Sequence, residues 1–83
     1  MGLKTSEQLR QARAALGLTQ SEVAALSGGS VPTMKRLEGG IGTLSVRLET
    51  LSSIESALIT QGIQFLENGD VASGFGVVVV GMD

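Results

Sequence analysis

Regularly spaced glycines restrict the fold of this 83-residue chain more than any other feature of its sequence. Gly17, Gly28-Gly29, Gly39-Gly40 and Gly62 each follow a stretch in which apolar residues recur every three or four positions. That period indicates an α-helix with one buried face. A glycine directly after such a stretch ends the helix, because it adopts the left-handed backbone of a C-cap at little cost. The sequence therefore predicts four short helices.

A hydroxyl side chain that can cap a helix stands near the start of each segment. The predicted N-caps are Thr5, Thr19, Ser30 and Thr50. The first two are followed three residues later by Gln8 and Glu22, which is the spacing of a capping box. Pro32 fits the first turn of the third helix, because its missing N–H has no helical partner there. The fourth helix follows a loop over residues 39–49 and is expected to extend to about Gln61.

The apolar faces of the four helices predict the core. In chain order they are Leu9, Ala12 and Leu16; Val23, Ala24 and Leu26; Met34 and Leu37; Leu51, Ile54 and Leu58. A chain this short buries only a thin core. Because it has no cysteine for a disulfide, we expect it to gain stability from a partner, most simply a second copy of itself.

After Gly62 the pattern changes from helical to alternating. Ile63, Gln64 and Phe65 alternate as in a half-buried strand. A turn cluster follows at 67–70, and a second strand is predicted from Phe75 to Val80. Its consecutive valines indicate burial on both faces, which favours an interface between two copies. The alternative, in which the valines pack back on the helices of their own chain, stays open.

Composition excludes most catalytic chemistry. The chain has no His and no Cys, and therefore lacks the commonest general base, the commonest metal ligand and any thiol nucleophile. We predict that it is not an enzyme and that it needs neither a metal nor a cofactor. No small-molecule site is evident. The longest apolar run is too short to cross a membrane, and early charges argue against a signal peptide, so the expected location is the cytoplasm.

Charge is divided unevenly along the chain. Residues 1–49 hold all six cations and four carboxylates, a net charge of +2. Residues 50–83 hold four carboxylates and no cation. This division suits a protein with one face toward a polyanion and another toward protein. An ordinary solvated surface explains it equally well, so charge alone does not decide between the two.

The second and third predicted helices are separated by only a few residues, which are rich in Gly and Ser. That is the spacing of a helix-turn-helix, whose second helix enters the major groove of DNA. Residues 9–40, LRQARAALGLTQSEVAALSGGSVPTMKRLEGG, resemble the lambda-repressor-like regulators of Cro/C1 type, the XRE family. The next residues, as far as 66, are similar to the fourth helix and short C-terminal strand of small bacterial members.

The resemblance implies a mainly α fold. A four-helix DNA-binding domain would occupy residues 1–62, and a short β-strand or hairpin at 63–83 would serve dimerisation. The expected interface residues are Ile63, Phe65, Phe75, Val77, Val78, Val79 and Val80. The implied function is a transcriptional regulator that binds double-stranded DNA sequence-specifically as a homodimer, with the second helix of the helix-turn-helix in the major groove. Repression is the expected activity, and its own gene is a candidate target.

Candidate DNA contacts cluster at the start of the second helix, along the third, and before the fourth. They are Gln20, Ser30, Val31, Pro32, Thr33, Lys35, Arg36 and Arg47. Arg36 is the best candidate for a base contact, because it lies opposite the apolar face and arginine binds guanine O6 and N7 together. Lys35 and Arg47 are expected at phosphates, and the resemblance implies the same for Gln20.

Each candidate also has a simpler interpretation. For the cations and Gln20, the simpler and less favoured interpretation is a solvated side chain. Ser30 can act as a helix cap alone, and Thr33 can bond its own backbone. Val31 and Pro32 either pack on a thymine methyl or only initiate the helix.

The resemblance implies that Arg13 and Glu38 face each other between the first and third helices, in a structural ion pair.

The alternative function is a protein-interaction module, or an antitoxin-like partner, that binds another protein through its C-terminal strands by β-augmentation. The low cation count favours this alternative, and the charge division opposes it.

Overall fold

A computed structural model describes residues 2–66 and 71–72. The helices are α1 (Ser6–Leu16), α2 (Gln20–Ser27), α3 (Val31–Glu38) and α4 (Leu48–Thr60), followed by strands β1 (Gln64–Phe65) and β2 (Val71–Ala72). The two strands pair antiparallel, with Phe65 opposite Val71. The predicted mainly helical fold, with four helices and a short strand toward the C-terminus, is confirmed.

The predicted caps of the first three helices are confirmed. Thr5 and Thr19 each accept a hydrogen bond from the backbone N–H three residues on, and the side chains of Gln8 and Glu22 bond back to the cap N–H. Ser30 caps α3 in the same position, without the reciprocal bond. Short helices are marginal by themselves, so these caps help to define where each one begins.

The turn between α2 and α3 is closed by backbone bonds. Gly28 has a φ of 74° and its N–H donates to Ala25 O at 3.4 Å, while Gly29 N donates to Ala24 O at 2.8 Å. A side chain at Gly28 would disfavour this left-handed backbone. The turn therefore sets the direction of α3 relative to α2.

The predicted start of α4 is wrong. Arg47 is the N-cap residue, in an extended conformation, and no side chain caps the helix. Arg47 O accepts a hydrogen bond from Leu51 N at 3.0 Å, so Thr50 lies within the first turn. Glu49 is also in that turn, where its charge interacts favourably with the helix dipole in place of a hydroxyl cap. Gln61 is the C-cap, close to the predicted end.

The core lies where the helices meet. Its buried apolar residues are Leu3, Leu9, Ala12, Val23, Ala24, Met34, Leu37, Ile54, Leu58 and Ile63. Eight of these come from the predicted helix faces, and Leu16 and Leu51 pack partly buried against them. The prediction for Leu26 is wrong, since it is 49% exposed. It lies about 200° around the helix from Ala24, which is buried.

The segment before α1 packs against the fold. We call residues 2–5 the N-terminal segment. Leu3 is fully buried, and Glu55 on α4 accepts hydrogen bonds from Gly2 N at 2.7 Å and Leu3 N at 3.0 Å. Thr5 also forms an antiparallel bridge with Thr43. No helical period marks this segment, so sequence analysis did not predict it.

The C-terminal predictions are covered only in part. Ile63 is 1% exposed and Phe65 is partly buried, and both pack in the core of their own chain. Strand β2 was not predicted. The turn cluster at 67–70 and the predicted strand from Phe75 to Val80, with its interface residues, lie outside the described residues.

Candidate nucleic-acid interface

Helix α3 presents its cations on the outside of the molecule. Met34 and Leu37 are buried in the core, whereas Lys35 and Arg36 are exposed. One step along a helix turns the side chain by about 100°, which places the direction midway between Lys35 and Arg36 opposite the direction midway between Met34 and Leu37. The outer face of α3 therefore carries two adjacent positive charges.

The start of α3 carries hydroxyl and apolar side chains and no charged ones. Ser30 Oγ donates to Thr33 Oγ1 at 2.9 Å and accepts from Thr33 N at 3.3 Å, so each hydroxyl has a partner within the turn. Val31 is partly buried against the core, and Pro32 is exposed. The structure thus brings these four predicted contact residues together at the start of α3.

Arg13 and Glu38 meet between α1 and the end of α3. Arg13 Nε donates to Glu38 Oε2 at 2.6 Å, and Arg13 Nη2 donates to Oε1 at 2.9 Å. Glu38 is 5% exposed. Its hydrogen bond to the guanidinium raises the pKa of Arg13, against a smaller opposite effect of burial. A third donation, from Arg13 Nη1 to Leu18 O at 2.9 Å, ties this pair to the α1–α2 turn.

Gln20 joins the same cluster. Its Nε2 donates to Glu38 Oε1 at 3.1 Å. The side chain, at the start of α2, therefore links α2 to the end of α3. Sequence analysis treated Gln20 only as a phosphate contact or a solvated residue, because nothing in the local pattern shows a partner 18 positions away.

The segment between α3 and α4, residues 39–47, is here called the α3–α4 loop. Arg47 lies exposed at its end. Ile41 is 89% exposed, although it is a large apolar residue. The loop lies beside α3, since a cleft of about 150 Å³ is lined by Arg36 together with Gly40, Ile41 and Thr43.

Three side chains of α1 bind the end of α3 and the α3–α4 loop. Ser6 Oγ donates to Leu37 O at 2.7 Å, Arg10 Nη1 donates to the carbonyls of Glu38 and Gly40, and Glu7 accepts from Gly42 N. Sequence analysis missed all three. The sequence shows only that Glu7 and Arg10 are oppositely charged and three positions apart. It gives no sign of partners about 30 residues away.

Hydrogen bonds also set the titration of Glu7. The backbone N–H groups of Glu7 itself and of Gly42 hold the pKa of its carboxylate below the ordinary value of 4.5. Arg10 is 3.9 Å away and lowers the pKa further, by a smaller amount. Glu7 is therefore ionised at neutral pH.

Within 2–66 and 71–72, no group of three or more His, Cys, Asp and Glu side chains is placed to hold a metal ion. None of the helices in that part combines the length and apolarity of a membrane span. An open groove of about 450 Å³ between α2 and α4 is lined by uncharged residues that include Leu26, Ser52, Ser56 and Thr60.

Two short helices joined by a glycine turn, the second with cations on its outer face, define a helix-turn-helix domain of the DNA-binding kind. A family model described as "Helix-turn-helix domain" matches residues 6–74, which include all four helices and both strands. The chain belongs to this family, and a domain of this kind indicates a DNA-binding regulator. Comparison of the sequence with curated proteins finds no match.

Proposed function

We propose that the protein is a sequence-specific transcriptional repressor of Cro/C1 type that acts as a homodimer, with α3 in the major groove. One observation carries the proposal: Lys35 and Arg36 are exposed on α3 directly opposite Met34 and Leu37, which hold that helix on the core. An α-helix fits the major groove of B-DNA, and side chains on its outer face reach the base edges.

The proposed contacts follow from these positions. Arg36 would bind guanine O6 and N7, while Lys35 and Arg47 would bind phosphates. Ser30 and Thr33, at the start of α3, would add hydroxyl contacts to the backbone, where a helix N-terminus favours anions. Val31 and Pro32 would pack on a thymine methyl. Gln20 uses one amide N–H for Glu38, and the second would donate to a phosphate.

The proposed dimer uses residues 63–83. A single helix-turn-helix reads few base pairs, and a two-fold dimer presents two recognition helices roughly 34 Å apart. The acidic second half of the chain suits a surface turned away from DNA. Since Ile63 is buried in its own chain, Phe65, Phe75 and the valines at 77–80 would provide the contacts between chains.

Fluorescence anisotropy tests DNA binding. The full chain is titrated into DNA from upstream of its own gene and into a scrambled duplex, over a series of salt concentrations. We expect tighter binding to the upstream DNA and a steep loss of affinity as salt rises, because bound phosphates release counterions. Absence of binding to both duplexes at low salt would contradict the proposal.

Two variants of α3 separate base contact from charge. Arg36→Ala should weaken binding to the upstream DNA by about 1–3 kcal/mol, because a base contact is lost. On the scrambled duplex, it should lose only the affinity that removal of one positive charge explains. Lys35→Ala is the matched control, since it removes an adjacent exposed cation and should weaken both duplexes to a similar extent. Equal effects of the two variants on discrimination would contradict the role of Arg36.

A second candidate function is protein interaction through the C-terminal strands. It is favoured by the start of α3, where Val31 and Pro32 offer no side-chain hydrogen bond to a base. Sedimentation velocity on the full chain and on a variant that ends at residue 66 tests the interface: the full chain should be a dimer and the shortened one a monomer with intact helices. A shortened chain that stays dimeric would contradict this interface in either function.

A further inference from the structure

The bonds from α1 to the α3–α4 loop have a consequence for DNA binding. We propose that Glu7 and Arg10 are positioning residues, which hold the loop against α1 and so shape the surface beside Arg36. The inference rests on the proposed DNA binding and adds two residues that lie outside α2 and α3.

The end of α3 has unusual partners. The last carbonyls of a helix accept no hydrogen bond from within the helix, so other donors must bind them. Helix α2 ends in a left-handed glycine, but α3 ends at Gly39 with φ −75°, in the right-handed region. Ser6 and Arg10 instead donate to the carbonyls of Leu37 and Glu38. Side chains of α1 therefore complete the end of the helix that carries Arg36.

The loop is held at Gly42 on both sides of its backbone. Gly42 N donates to Glu7 Oε1 at 3.0 Å and to Oε2 at 3.2 Å, and Gly42 O accepts from Ser6 N at 2.9 Å. Arg10 Nη1 adds a donation to Gly40 O at 2.9 Å. Between Gly40 and Gly42 lies Ile41, exposed at the rim of the cleft that Arg36 also lines.

Because Glu7 is negatively charged, the direction in which its removal changes the affinity for DNA tests the proposal. A carboxylate near a DNA-binding surface repels phosphates, so removing one that only faces solvent should strengthen binding. Glu49 is the comparison: it is exposed in the first turn of α4, two residues after Arg47, and its carboxylate makes no hydrogen bond to another side chain or to the α3–α4 loop among the described residues. If Glu7 positions the loop, its removal should weaken binding instead.

Three full-length variants are compared by anisotropy on the upstream duplex at low salt. Glu7→Ala should weaken binding about fivefold, the effect of losing one exposed hydrogen bond that fixes the loop. Glu7→Gln removes the same charge but keeps an oxygen that accepts from Gly42 N–H, so it should bind at least as tightly as the wild type. Glu49→Ala should bind equally well or more tightly.

Amide hydrogen exchange gives a readout that needs no DNA. Protection of Gly42 N–H should fall in Glu7→Ala and stay in Glu7→Gln and Glu49→Ala, with unchanged helical circular dichroism in all three. If the wild type binds the duplex but Glu7→Ala binds as tightly as Glu49→Ala, the positioning role is wrong and the proposed function stands. If the wild type binds no duplex, the proposed function itself fails, and this inference fails with it.

Discussion

The α2–α3 unit and the α3–α4 loop follow each other in the chain, but different kinds of bonds hold them. The caps of α2 and α3 join residues three positions apart, such as Thr19 with Glu22. In the loop, Gly42 is bound by Glu7, which is 35 positions away. Leu44 N reaches back in the same way to Lys4 O, at 2.8 Å.

The difference shows which surfaces a distant substitution can alter. Local caps act as soon as one turn of helix forms, so the starts of α2 and α3 depend little on the rest of the chain, whereas the end of α3 is bonded to α1. The loop adopts its position only when α1 is packed beside it, because its donors and acceptors are satisfied by α1. A substitution of Glu7, which binds the loop at Gly42, should therefore alter the loop next to Arg36 and leave the capped start of α3 unchanged.

The largest expected effect, on the free energy of unfolding, tests how far α3 depends on α1. Arg13→Ala leaves the buried carboxylate of Glu38 without its guanidinium, and removal of one partner of a buried pair costs about 3 kcal/mol. We expect that loss in the free energy of unfolding, measured by chemical denaturation. Lys35→Ala, at an exposed cation with no such partner among the described residues, is the control. A loss as small as the control's would show that α3 does not depend on α1 through this pair.

A smaller loss in the free energy of unfolding is expected from a substitution in the N-terminal segment. A Cβ at Gly2 would lie 2.5 Å from Phe65 Cβ and 3.2 Å from Glu55 Oε2. Gly2→Ala should therefore lower the free energy of unfolding by about 2 kcal/mol, through overpacking. Gly29→Ala is the matched control, since its nearest neighbour would be Ser27 Oγ at 3.5 Å, an ordinary contact. Thermal melting of both variants checks this, and equal melting temperatures would contradict close packing at Gly2.

The smallest effect is a pH dependence confined to the loop. The pKa of Glu7 is lowered from 4.5 by its own backbone N–H and by Gly42 N–H. A lowered folded pKa means that the stabilisation is fully present above pH 4.5 and is lost as the pH falls through the folded value. The Gly42 amide resonance should shift only below pH 4.5, and Glu7→Gln should remove that transition. A transition that persists in Glu7→Gln would assign it to another carboxylate.

The helices were predictable because their signals are local. Apolar period, glycine stops and hydroxyl caps lie within one or two turns of each other, and Thr5, Thr19 and Ser30 act as the pattern indicates. The same reasoning was wrong at Thr50, because a hydroxyl before an apolar run does not cap a helix that already began at Leu48. It was also wrong at Leu26, which lies at the edge of its helix face.

Local sequence patterns were enough to predict four helices, the tight turn before α3 and the outward position of Arg36. Packing, which those patterns do not show, brings Leu3 into the core, turns Gln20 to Glu38 and lets Glu7 and Arg10 bind the loop. The reason is physical: a helix and its caps depend on residues close in sequence, whereas a hydrogen bond across the fold depends on where packing brings its two partners.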